Sequence, residues 1–264
     1  MKLAIRHETV YRYDSPARRS TQTLRMTPRD SAHQRVASWR LTLPGPASAH
    51  VDGFGNAVHL MTLDAPHEEI RLLAEGVVET QPGGWHDDAD RLDPRVYCRA
   101  TALTHPDDAI RALARAAADA HPAAPLDALA ALSATVLAAM PYTPGRTDAA
   151  TGAAEALALG AGVCQDHTQV FLAACRALGH PARYVSGYLL NDDADHAASH
   201  AWAEVWQDGA WHGFDISNQR APDEHHLKLA VGLDYLDACP VRGVRLGGDG
   251  ERLAARADVR PLDE

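Results

Sequence analysis

The first eighty residues alternate apolar and polar positions with a period of two, the repeat of a strand with one buried face. Leu3–Tyr13, Thr21–Met26, Ala37–Leu43, Ala57–Leu63 and Ile70–Glu79 carry this pattern, and Asp52-Gly-Phe-Gly-Asn56 supplies turn chemistry between two of them. Several short strands separated by turns predict an antiparallel β-sandwich or barrel-like domain over 1–100. Pro82-Gly-Gly-Trp85, Asp87–Asp90 and Pro94 read as loop or linker.

From about Pro106 the period lengthens to that of a helix. Asp107–Ala118 opens on two carboxylates, which the helix dipole favours. Leu126, Leu129, Leu132, Val136, Leu137 and Met140 form one stripe, which Pro141 ends. Ala153–Leu159 is a short helical piece, Gly160–Gly162 punctuates, and a helix over 163–178 follows, with Gly179 at its C-terminal side. Strands are then predicted at 182–190, 200–206, 210–215 and 227–231, with a polar loop at Asn191–Asp195 and a hairpin turn at Gln207-Asp-Gly209. The remainder of the last third reads as loop. The fold class is therefore α+β, with a β domain over 1–100 followed by a helix-and-sheet core over 101–264.

Composition narrows the partners. A formal charge of −10 lacks the basic stripe of a nucleic-acid binder. No apolar run approaches the ~18 residues that would span a bilayer, and the first ten residues are too polar for a secretory segment. No nucleic-acid or membrane partner is expected, and the reading is a soluble, cytoplasmic protein. The four cysteines, Cys98, Cys164, Cys175 and Cys239, form no C-x-x-C pair. Three of them read as small buried hydrophobes.

Cys164 differs because a glycine-rich turn delivers it into the first turn of an apolar helix, where unpaired N–H groups and the dipole favour a negative sulfur. Downstream, Ser199-His-Ala-Trp-Ala-Glu-Val-Trp206 and Trp211-His-Gly-Phe-Asp215 offer a base and an acid in the order Cys, His, Asp. His200 lies 36 residues past the thiol and Asp215 a further 15, which a helix with a returning strand and then a hairpin can span. That arrangement suits covalent acyl chemistry.

Gly-Val-Cys-Gln-Asp, Arg-Tyr-Val-Ser-Gly-Tyr, His-Ala-Trp-Ala-Glu-Val and Trp-His-Gly-Phe-Asp together resemble the bacterial transglutaminase-like family of the papain-like thiol superfamily. Asp52–Asn56 resembles a motif of the N-terminal domain that often precedes this core, and Tyr142-Thr-Pro-Gly145 and Ala230–Tyr235 also match. Asp215-Ile-Ser-Asn218 departs from the Asp-Pro-Thr-Asn of many relatives while keeping the acid. The resemblance implies Cys164 as nucleophile, His200 as general base and acid, and Asp215 as its orienter. It implies a peptide or protein substrate and no cofactor. Of the two oxyanion donors, the Cys164 N–H is the natural first; Tyr142 is the candidate for the second and Gln165 the alternative.

Other residues carry blander readings. Trp202 lines a cleft or belongs to the core. His167 reads as helix surface, Asp166 as a local cap, and His225-His226 as a solvated loop pair. No metal site is expected: His196 and His200 are four apart on a strand and lack a third ligand. The activity expected is peptidase- or amidase-type hydrolysis; glutamine transamidation or a non-catalytic peptide-binding module are the alternatives.

Overall fold

A computed structural model describes residues 1–82, 92–190 and 199–262. The linker readings at Gly83–Trp85 and Asp87–Asp90, the loop at Asn191–Asp195, and His196 lie outside the described residues. The chain opens with β1 (Lys2–Thr27), β2 (Gln34–Thr42), β3 (Ala47–Val51), β4 (Ala57–Leu63) and β5 (His67–Thr80). Helices α1 (Asp108–Ala120), α2 (Pro125–Ala139), α3 (Ala153–Leu159) and α4 (Cys164–Ala177) follow. Then come β6 (Ala182–Leu189), β7 (Ser199–Gln207), β8 (Ala210–Phe214), β9 (His226–Gly232), α5 (Tyr235–Ala238), β10 (Val241–Gly247) and β11 (Arg252–Pro261).

Asp14-Ser-Pro16 bends the first strand instead of ending it. β1 pairs with β5 up to Arg12 and resumes at Ala17, so Pro16 sits in the irregularity, where its missing N–H leaves no ladder bond unmade. The bend curls the sheet around Tyr13, Leu24, Met26, Met61, Ile70 and Leu72. This gives the barrel-like form that the alternation predicts.

The strand pairing departs from a division at residue 100. β10 and β11 pair antiparallel with β1, on Ala17–Leu24 and Leu3–Arg12, so 241–261 complete the first sheet in a seven-stranded arrangement. The sequence predicts loop for both because they are rich in arginine and alanine and largely exposed, as outer strands are.

The second sheet runs β8-β7-β6-β9, all antiparallel. Both faces are covered. Ala201, Ala203 and Val205 join Val170, Phe171 and Ala174 of α4 in one core, while Trp202 packs with Val185, Val231 and Phe54 on another. Asp208 and Gly209 both take positive φ, the geometry of a two-residue hairpin turn, and so set the β7–β8 register.

Side-chain amides of the first sheet seal the open edge of β9. Gln34 accepts from the Lys228 N–H and donates to its carbonyl, both at 2.8 Å. Asn56 does the same to Val231, also at 2.8 Å. A register shift between Ser186 and Gly187 turns both peptides toward that edge. The Asp52–Asn56 turn is thus a docking device, with Phe54 entering the core of the second sheet behind it.

Candidate active site

The start of α4 is built by Asp166. Its Oδ2 accepts from the Val163 N–H at 2.8 Å and from the Thr147 hydroxyl at 2.7 Å, so the expected local cap is present. Gly162 is required here: a Cβ would stand 2.7 Å from that of Asp166. The cap leaves Cys164 as the first helical residue, partly exposed, with an N–H that has no intrahelical acceptor.

His200 is the second residue of β7, and Asp215 follows the last residue of β8, the neighbouring strand of the hairpin. The His200 Nε2 stands 2.8 Å from Asp215 Oδ2, and the Cys164 side chain is near enough to the imidazole to act on its protonation. With Nε2 committed to the carboxylate, Nδ1 is the nitrogen left for sulfur. Burial alone would push His200 down; hydrogen bonding and charge from Asp215 and Cys164 outweigh it and hold the ring at about 10. Burial likewise opposes the charge on Asp215, yet donors from His200, His226 and Asn218 hold it far below the usual carboxylate range. Cys164, His200 and Asp215 are thus brought together, with His200 hydrogen-bonded to Asp215 and influenced by Cys164.

The subsidiary residues separate. Tyr142 pairs by its backbone with Gly162 and lies near Cys164. Burial first, and then the sulfur's charge, raises its phenol, so it keeps a proton to donate. The Gln165 amide is engaged by the Asp148 carbonyl at 3.4 Å instead. Trp202 is fully buried and therefore cannot line a cleft; its ring stacks beneath His200 at 6.3 Å between centroids. Gly187 makes room for it, since a Cβ there would fall 2.6 Å from the indole and 2.1 Å from the Leu227 carbonyl.

Two histidine readings are corrected. His167 is wholly buried, not on a helix surface. Its Nε2 donates to the Met140 carbonyl at 2.7 Å, so Nδ1 accepts from Ser217 at 2.8 Å, tying α4 to the loop after Asp215. Burial lowers its pKa, in keeping with a neutral strut. His226 is likewise buried and stands 3.1 Å from Asp215 Oδ2. Sequence reading missed it because the doublet His225-His226 looks polar; only the fold shows that its second member faces inward.

His200, Asp215 and His226 present ligand atoms within 4.8 Å of one another, as do Asp223, Glu224 and His225. In the first group the carboxylate already accepts from both rings, so hydrogen bonding accounts for the convergence. Among the described residues no helix is long and apolar enough to cross a membrane.

Comparison with known proteins agrees with this fold. Residues 3–79 match the bacterial transglutaminase-like N-terminal region, and 111–216 match the transglutaminase-like superfamily. An uncharacterized protein of Mycobacterium leprae is 32% identical over 99% of both chains. One from Mycobacterium tuberculosis strain H37Rv is 33% identical over 98% of this chain and 92% of its own. A crystal structure from Cytophaga hutchinsonii, provisionally named a cysteine protease, shares the fold with a TM-score of 0.73 at 21% identity, covering 100% of this chain and 91% of that one. The chain belongs to the bacterial transglutaminase-like family, within the transglutaminase-like superfamily of cysteine-based enzymes.

Proposed function

We propose that this protein is a thiol hydrolase acting on peptide or carboxamide bonds through a thioester on Cys164. The observation that carries the reading is the His200–Asp215 hydrogen bond with Cys164 beside the same imidazole. With His200 protonated and the sulfur negative, the sulfur attacks the carbonyl carbon. The developing oxyanion lies toward the Cys164 N–H and, as the second donor, the Tyr142 phenol. His200 passes its proton to the leaving nitrogen as the C–N bond breaks, releasing ammonia or an amine and leaving a thioester. Water then adds to the thioester, giving a proton to His200, and the C–S bond breaks to return the ionised pair and a carboxylic acid. Asp215 accepts from Nε2 throughout and keeps Nδ1 directed at sulfur.

An amine in place of water would give transamidation by the same steps. Hydrolysis is preferred because Cys164 is partly exposed, so water has access to a thioester formed there. A non-catalytic module fits less well, since all three reactive groups are retained and lie together. The test is intact-mass analysis of glutamine-containing peptides incubated with wild type and Cys164→Ala, with and without a primary amine. A gain of one mass unit per side chain (loss of ammonia, addition of water), or backbone cleavage, supports hydrolysis. An amine adduct would reassign the enzyme as a transferase. Equal turnover by Cys164→Ala would remove the thiol from the chemistry.

A further inference from the structure

His226 lies outside the three-residue line and is bonded at both ends. Its Nε2 is 3.1 Å from Asp215 Oδ2, and its Nδ1 is 2.9 Å from Asp223 Oδ1 and 3.1 Å from the Asp223 N–H. An ionised Asp215 can only accept, so Nε2 must carry a proton. Nδ1 suits either ring state, accepting from the backbone N–H or donating to the Asp223 carboxylate. The ring edge packs on Trp202, 5.4 Å between centroids at 79°, and the His200 ring is 6.1 Å away. The charged and titratable groups around it are Asp215, His200 and Asp223, the last shared with Arg220 and His225 on its outer side.

Asp215 Oδ2 therefore receives three donors: His200 Nε2, His226 Nε2 and the Asn218 amide at 2.7 Å. Asn218 belongs to the same short loop as the carboxylate, whereas His226 stands on another strand, β9. That strand is fixed by its ladder to β6 on one side and by the Gln34 and Asn56 amides on the other. His226 is thus the anchor through which the rigid sheet fixes a loop-borne carboxylate.

We propose that His226 is a positioning residue of the thiol site: its Nε2–H holds Asp215 in the place and rotation that orient His200 toward Cys164, with Asp223 orienting His226 in turn. This rests on the thiol reading above and extends the line to Asp223–His226–Asp215–His200–Cys164.

The test is the second-order rate of Cys164 alkylation by iodoacetamide between pH 5 and 10, followed by peptide mapping, in wild type, His226→Phe, His226→Gln and Asp223→Asn. Phenylalanine keeps the ring against Trp202 and removes both nitrogens; glutamine can place an amide donor where Nε2 stood. A lost buried bond to a charged group corresponds to roughly tenfold or more, so His226→Phe should alkylate about tenfold slower at pH 6 with a displaced pH profile. Glutamine should restore the rate to within about threefold, and Asp223→Asn, at a half-exposed position, should fall between with an unchanged melting curve. A ring with a merely structural role would not give rescue by glutamine. If His226→Phe does not melt cooperatively, Asp223→Asn and His226→Gln decide by the same criteria. A folded His226→Phe, or failing that Asp223→Asn, with the wild-type rate and profile overturns the proposal. Unselective labelling of the wild type overturns the thiol reading itself, a separate result.

Discussion

Replacing Asp215 with asparagine removes the charge that holds His200 protonated while keeping the side chain's outline. His200 stands at about 10 instead of 6.5. That difference is on the order of 5 kcal/mol at about 1.4 kcal/mol per unit. Of the four favourable influences on the ring, two come from Asp215 and two from Cys164. Loss of a buried hydrogen bond to a charged group corresponds to about 2–3 kcal/mol, or about a hundredfold in reactivity at neutral pH. The same coupling fixes a pH dependence of stability. A raised histidine stabilises the fold fully below its ordinary value, 6.5, and loses that contribution as pH rises through about 10. The depressed Asp215 contributes above its ordinary value of 3.8, and keeps contributing until pH falls through its much lower folded value. The pair is thus fully stabilising between about pH 4 and 6.5. Thermal melts of wild type should fall from pH 6.5 toward 10, and Asp215→Asn should flatten that slope while slowing Cys164 alkylation about a hundredfold. A variant that alkylates at the wild-type rate and keeps the slope would refute the coupling.

Further outcomes follow from individual contacts. Asn56→Ala leaves the Val231 N–H and carbonyl without their buried partners and should cost about 2–4 kcal/mol in urea unfolding. Gly187→Ala drives a methyl into the Leu227 carbonyl and Trp202, and should cost about 1–3 kcal/mol while lowering Cys164 reactivity through the displaced platform of His200. Tyr142→Phe removes one candidate oxyanion donor and should lower kcat about ten- to a hundredfold with KM and iodoacetamide reactivity little changed; an unchanged kcat would exclude the phenol.

Much of the site could be read in the chain because local signals govern it. The glycines before Cys164 and the apolar helix after it place the thiol without help from distant residues. The Asp208-Gly209 turn likewise sets His200 and Asp215 near one another. What escaped reading depends on long-range packing. Pro16 is a strong break signal, yet flanking pairing carries β1 through it. β10 and β11 lack the β-branched density of inner strands and are strands because β1 offers each a free edge. His167 and His226 are polar residues whose burial is decided by partners 50 and 11 residues away, Ser217 and Asp215. Asn56 reads as a turn residue; its bond to Val231 crosses 175 positions.

The central claim is an ionised Cys164 held beside a protonated His200. Competitive labelling of the native protein at pH 6 with limiting iodoacetamide, quantified cysteine by cysteine, tests it most directly. Cys239 is pushed up to about 11 by burial, Cys98 is raised by burial, and Cys175 is fully buried. The account predicts that Cys164 is modified at least about tenfold faster than any of these. Labelling of Cys164 no faster than the equally half-buried Cys98 would contradict it.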